Sequence, residues 1–170
     1  MITLTSKRLE LRPFKESDIS EMYEIIQDDE IKVFLPGVYT SSKEQLKNNL
    51  EVYVNANFKD DIYLAITDIK TDMLLGAILL VRTYKNNMEI SYFIRKENRK
   101  SGLMLEVLQI FLKWYAESEI ANTIVFVISK NNESSLKLLE RLKECKFPIL
   151  NMAMDDKSLY YCIRPWCMKA

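Results

Sequence analysis

The stretch from Gly102 to Glu117 constrains the fold more than any other. Read at helical spacing it is apolar around most of its circumference, and Glu106, Gln109, Lys113 and Glu117 leave only one narrow polar stripe. Such a helix must be nearly buried, so the rest of the chain has to supply packing surface on almost every side. Strand patterns flank it. Upstream, Ile62 to Thr67, Met73 to Arg82 and Met88 to Ile94 are short β-rich runs joined by polar turns, Lys70-Thr71-Asp72 and Lys85-Asn86-Asn87, which predicts an antiparallel meander. Downstream, Ile124 to Ile128 is an apolar run of strand length. A polar turn from Ser129 to Asn132, a helix from Glu133 to Glu144 and two strands, near Pro148 to Met154 and Leu159 to Pro165, complete the chain.

At the N-terminal end, Leu9 and Leu11 alternate with charged Arg8, Glu10 and Arg12, the period of a strand with one wet face. Asp18 with Glu21 reads as a capping box opening a helix from Ile19 to Gln27. Asp28 to Thr40 reads as a loop, after which Ser41 and Glu44 cap a second helix that turns Leu46, Leu50 and Tyr53 inward. The order is strand, two helices, three strands, helix, strand, helix, two strands. It predicts an α/β (α+β) sandwich: a mixed, mostly antiparallel sheet of about seven strands with helices on both faces, rather than a doubly wound sheet. No repeat or linker divides it, so residues 1–170 are expected to form a single domain.

Composition narrows the function. Of the 170 residues 48% are apolar, enough for one core that needs neither disulfide nor metal. The 24 basic and 24 acidic side chains give no excess of positive charge, which argues against a basic nucleic-acid-binding face. With no histidine, histidine triads and most transition-metal sites are excluded, and no metal is expected. Cys145, Cys162 and Cys167 lack zinc-site spacing and read as reduced, mostly buried thiols. The longest clean apolar stretch, Leu74 to Val81, is far below the ~20 residues that span a bilayer, and the start has no apolar leader. A cytoplasmic protein without membrane contact is expected.

Chemistry concentrates between Glu89 and Glu106. A central strand there enters a polar turn and then the buried helix, and Arg99, Lys100 and Gly102 stand at the helix start. Unpaired N–H groups and the positive end of the helix dipole make that start a seat for pyrophosphate. In these residues the chain resembles the GNAT N-acetyltransferases, in particular the RimJ/RimL-type branch that acetylates ribosomal-protein N-termini. Glu89-Ile90-Ser91-Tyr92 matches the strand segment, and Arg99, Gly102 and Met104 fall on the Arg/Gln-x-x-Gly-x-Gly/Ala motif, with Glu106 at a usual helix Glu. Two further blocks agree: Leu9-Glu10-Leu11-Arg12 with Asp18, and Asn132-Glu133-Ser134-Ser135 with Leu138-Leu139-Glu140. Relatives usually carry Gly at Lys100, a small residue at Met104 and Gly-Phe near Lys143 to Phe147.

The resemblance implies a GNAT fold and acetyl-CoA as cosubstrate, held in a cleft where two parallel strands splay. Main-chain N–H groups of Arg99, Lys100, Ser101, Gly102, Leu103 and Met104 would take the pyrophosphate, the strand edge at Phe93 and Ile94 the pantetheine, and Asn132 part of the wall. The acceptor would be a primary amine, on a small molecule or a protein N-terminus, served by a monomer or homodimer. An ammonium must lose a proton before attacking a thioester, and Glu89, a carboxylate in a strand covered by helices, is the candidate base; a structural ion pair is the competing reading. Many relatives use a helix Tyr to meet the departing thiolate, but Leu139 stands there, which leaves Ser135 as the candidate donor; a plain first-turn role is its alternative. Asp28, Asp29 and Glu30 read as a solvated helix end rather than an amine lure. The alternative for the whole chain is a catalytically silent GNAT-fold binding or regulatory protein.

Overall fold

The computed structural model describes residues 2–55, 61–83, 87–118 and 122–168. Strands β1 (Leu4–Thr5) and β2 (Leu9–Pro13) are followed by helices α1 (Ile19–Ile26), α2 (Asp29–Phe34) and α3 (Lys43–Val54). Next come β3 (Ile62–Asp68), β4 (Leu74–Arg82), β5 (Met88–Ile94) and the long α4 (Leu103–Glu117). The last elements are β6 (Ile124–Ser129), α5 (Glu133–Glu144), β7 (Ile149–Met154) and β8 (Ser158–Ile163). One eight-stranded sheet results, in the order β1-β2-β3-β4-β5-β6-β8-β7. Among the described residues only β5 and β6 pair in parallel, joined by the crossover through α4 that parallel neighbours require.

The sheet carries a core on each face. On one, Val107, Phe111 and Tyr115 of α4 and Leu139 and Leu142 of α5 pack on Leu64, Ile78, Ile90 and Phe126. On the other, Met22 and Ile26 of α1 and Leu46 and Leu50 of α3 cover Tyr63, Ala65, Ala77 and Phe93. Covered on both sides, β3 is buried from Ile62 through Thr67 and loses the alternation of a half-wet strand. At the far end of the sheet Val127 and Leu150 remain exposed.

The mixed, mostly antiparallel sheet is the one expected, with eight strands among the described residues against about seven, since β1 is too short to show a period. Several local expectations are corrected. The expected loop from Asp28 contains α2, capped by the Asp28 carboxylate, which accepts from Glu30 N at 3.0 Å. The cap of α3 is Ser42, whose Oγ accepts from Gln45 N, and not Ser41. Asp18 does not cap α1: both its oxygens are bound at 2.9 Å by the guanidinium of Arg12, and both residues are buried. Burial works against the Arg12 charge, but hydrogen bonds and the charges of Asp18 and Asp72 outweigh it and raise its pKa. Glu21 instead accepts from Leu74 N, tying α1 to β4. Of the cysteines only Cys162 is buried; Cys145 and Cys167 are exposed. The expected turn at Lys85 and Asn86 lies outside the described residues. Among the described residues no helix is long and apolar enough to cross a membrane, and no three acidic or thiol side chains gather as metal ligands.

Candidate active site

Strands β5 and β6 run together for two residue pairs, Met88 opposite Ile124 and Glu89 opposite Val125, and then part. Past that point β5 stays with β4. Gly76 lies opposite Ile94 in the register, and a Cβ on Gly76 would overlap Phe93 O and stand 2.9 Å from Ile94 Cα. Only glycine allows so close an approach. Arg95 N continues the attachment, donating to Leu75 O at 2.6 Å. The wedge between the strands opens into a cavity of about 510 Å³. Ile90 to Ile94 form one wall, Phe126 to Ser129 another, and Ile31 and Phe34 of α2 with Leu35 just after it a third.

The start of α4 closes one end. The helix ladder begins with Glu106 N donating to Gly102 O, so the N–H groups of Leu103, Met104 and Leu105 have no acceptor within the helix. Gly102, the N-cap, has no side chain to offer them. All four residues line the cavity. The approach to the helix passes through two left-handed residues, Lys100 at φ 59° and Gly102 at φ 79°. The turn is braced from outside by Arg8, which donates to Ser101 O at 3.2 Å and pairs with Glu106 at 2.6 Å. Burial alone would raise the Glu106 carboxyl, but the Ser6 and Arg8 contacts hold it below its ordinary range.

Arg99 is committed to the protein. Its guanidinium donates to Asp28 Oδ1 at 2.8 Å and to Ile94 O at 3.2 Å, and lies 3.2 Å from Glu30 Oε2. Its N–H is also taken, by Lys96 O. Arg99 therefore latches α2 onto the end of β5 and offers the cavity no free main-chain donor, contrary to the sequence expectation. At α5, Asn132 Oδ1 accepts from Ser135 N at 3.1 Å, the cap its position suggests.

Of the residues singled out in the sequence, Phe93, Ile94, Arg99, Lys100, Gly102, Leu103, Met104, Asn132 and Ser135 line this one cavity. Ser101 does not: its hydroxyl donates to Asn98 O, and its carbonyl serves Arg8. Glu89 lies just outside, in the last ladder pair before the wedge opens. Its neighbours Met88 and Ile90 are buried towards α4, so alternation puts Glu89 on the opposite face, shared by register with Val125, Val127 and Tyr160. Leu139 is fully buried in the core and lines no part of the cavity. Sequence reading missed the α2 wall, although Asp28 followed by two acids and Ile31 is a helix-start signal. It also missed Tyr92, whose hydroxyl is buried in the wall without a hydrogen-bond partner.

Residues 8–143 match the acetyltransferase (GNAT) domain family. No curated protein matches the chain. Among solved structures, a GNAT-family acetyltransferase from Bacillus anthracis superposes with a TM-score of 0.81 at 16% identity, over 96% of this chain and 99% of that one. RimL, a ribosomal L7/L12 α-N-protein acetyltransferase in complex with coenzyme A, gives 0.79 at 15% identity over 95% and 97%. The ribosomal-protein-S5-alanine acetyltransferase from Vibrio fischeri gives 0.79 at 15% identity over 96% and 97%.

Proposed function

The chain belongs to the GNAT acetyltransferase family, and from that premise we propose that it is an N-acetyltransferase, passing acetyl from acetyl-CoA to a primary amine by direct attack in a ternary complex. The observation that carries this reading is the two-pair seam of β5 and β6 opening onto the uncapped start of α4. The residues present suit the cosubstrate. The first-turn residues of α4, whose N–H groups have no helix acceptor, line the cavity and would serve a diphosphate, and the parted edges of Ile90 to Ile94 and Phe126 to Ser129 would offer amide partners to a pantetheine arm. Lys100 and Lys137 add positive charge to the cavity lining. Met104 packs partly against the α4 core, so its bulk is shared between core and cavity. Bound acetyl-CoA supplies an activated thioester carbonyl.

What the protein adds is position and proton handling. Glu89, beside the apex of the wedge, is the proposed base for an amine arriving over the face that also carries Val127 and Tyr160. Ser135, in the cavity wall at the start of α5, is the proposed donor to the departing sulfur. Because structural neighbours include enzymes named for ribosomal proteins, a protein N-terminal amine is the first acceptor to test. We place the whole reaction in one cytoplasmic domain, as a monomer or homodimer.

Thermal unfolding with acetyl-CoA tests binding: at 100 times Kd it should add roughly 2.7 kcal/mol, about 5–10 °C for a chain of this size. An unmoved curve at millimolar acetyl-CoA rejects the reading. Free-thiol release with a panel of peptides and small amines tests turnover, which Glu89→Gln should slow about 100-fold while sparing acetyl-CoA binding. Binding without thiol release across the panel supports the silent alternative, for which the core position of Leu139 speaks.

A further inference from the structure

We propose that Arg141 of α5 holds the 3′-phosphate of acetyl-CoA, and that this contact makes the chain reject a cosubstrate lacking that group. This rests on the acetyl-transfer reading above and adds to it a second anion site, besides the main-chain seat at the start of α4.

The cavity is one-sided in charge, although the whole chain is balanced at 24 basic and 24 acidic side chains. Among the described residues its lining holds four cations, Arg99, Lys100, Lys137 and Arg141, against the single carboxylate of Glu30. Arg99 answers that carboxylate at 3.2 Å and is itself held by Asp28. Lys137 pairs at 3.1 Å with Glu133, one turn back on α5. Lys100 and Arg141 have no carboxylate partner among the described residues. Lys100 stands in the turn before α4, beside the diphosphate seat. Arg141 belongs to the other helix, and a diphosphate at α4 does not account for it.

The period of α5 brings Arg141 to the cavity. Leu139 and Leu142 turn into the core, so Ser134, Lys137, Leu138 and Arg141, spaced three and four apart, share the cavity side. No acid of α5 joins them there: Glu133, Glu140 and Glu144 lie off the lining. Side chains on a helix lean towards its N-terminus, so Arg141 reaches back past Leu138 towards the start of α5, where Asn132 and Ser135 line the cavity. Met104 and Leu105 of α4 and Leu138 of α5, half-buried against the core, give this part an apolar floor.

Adenosine 3′-phosphate has the matching form. Its base is flat and apolar on its faces, and a phosphate monoester carries about −1.5 to −2 charges at pH 7. A guanidinium meets such a group with two parallel N–H···O bonds. In the cosubstrate the diphosphate stands between pantetheine and adenosine. With pantetheine in the wedge and the diphosphate at α4, adenosine is the part left for the groove between α4 and α5.

Calorimetric titration with free CoA and with 3′-dephospho-CoA tests this, and no acceptor need be known. Wild type should bind CoA roughly tenfold or more tightly than dephospho-CoA, the range of a hydrogen bond to a charged group. Arg141→Ala should weaken CoA by the same factor and leave dephospho-CoA unchanged, which erases the preference. Arg141→Lys keeps the charge without the fork and should retain part of it. Lys143→Ala removes a charge from α5 outside the cavity and should retain all of it. Arg141 is exposed and alanine is the better helix former, so Arg141→Ala should melt with wild type. The proposal is overturned by equal wild-type affinity for the two ligands, by an Arg141→Ala variant that weakens both alike or neither, or by a preference lost equally in Lys143→Ala. Absence of binding by either ligand sinks the functional reading as well, whereas tight binding of both without preference sinks this inference alone.

Discussion

The guanidinium of Arg99 reaches 71 residues back along the chain to the carboxylate of Asp28, with 2.8 Å between them. Asp28 caps α2 and Arg99 stands in the loop between β5 and α4, so this pair fixes a wall of the cavity to that loop. Burial by itself would raise the Asp28 carboxyl; the Arg99 hydrogen bond and charge, with N–H donors from Glu30 and Ile31, hold it below its ordinary value of 3.8. A lowered native pKa gives stability that is present above the unfolded value and lost as pH falls through the native one. Asp28→Asn should therefore melt roughly 3–6 °C below wild type at pH 7, for about 1.5 kcal/mol. The two melting curves should converge below pH ~4. A gap that persists in acid would show that the charge of Asp28 contributes nothing.

Gly76 is the residue on which the wedge depends. A methyl group there would press on Phe93 O and Ile94 Cα and push the end of β5 off β4, towards the cavity. Gly76→Ala should cost about 3 kcal/mol and weaken acetyl-CoA binding by at least tenfold. Gly37→Ala is the control, since nothing lies within 4 Å of the added Cβ. Calorimetric titration and melting of the two variants side by side check this, and equal affinity would refute it.

Lysines occupy two places that suit glycine. Lys100 precedes α4 at φ 59°, and Lys146 follows α5 at φ 69°. The end of α5 is a Schellman motif, with Phe147 N donating to Leu142 O and Lys146 N to Lys143 O, so Lys146-Phe147 fills the place of Gly-Phe. Left-handed backbone costs a side-chain-bearing residue about 1 kcal/mol. Lys100→Gly and Lys146→Gly should each raise the melting temperature by roughly 2–4 °C, with acetyl-CoA binding retained in Lys146→Gly. Gly102→Val, forced to φ 79°, should lower both stability and affinity. A Lys→Gly change that destabilises would contradict the assignment of strain.

These residues also show what the sequence could convey. Met88–Ile94 and Glu133–Glu144 are observed at their expected bounds, because a strong period reports burial directly. Helix α2 was hidden: six residues are too few for a period, and its hold on the fold comes from Arg99, far away in the chain. Asp18 carries the signature of a cap, yet the buried Arg12 claims it, a contest that local pattern cannot display. At the site, the main-chain seat at Gly102 was legible because it needs a glycine before a helix. Tyr92 was not, since an unmatched hydroxyl shows itself only once every neighbour is in place.

The seam of β5 and β6 is two pairs long, and beyond it the sheet is an arch without a keystone. The blocks on either side, β1 to β5 and β6 with β8 and β7, share one core with α4 and α5. A molecule lodged in the gap would bridge the facing edges where the strands themselves cannot, locking the halves as one span. Amides of Ile90 to Ile94 and Phe126 to Ser129 that exchange readily with solvent in the empty protein should then slow in concert on loading. Rigidity would belong to the occupied arch rather than to the polypeptide alone.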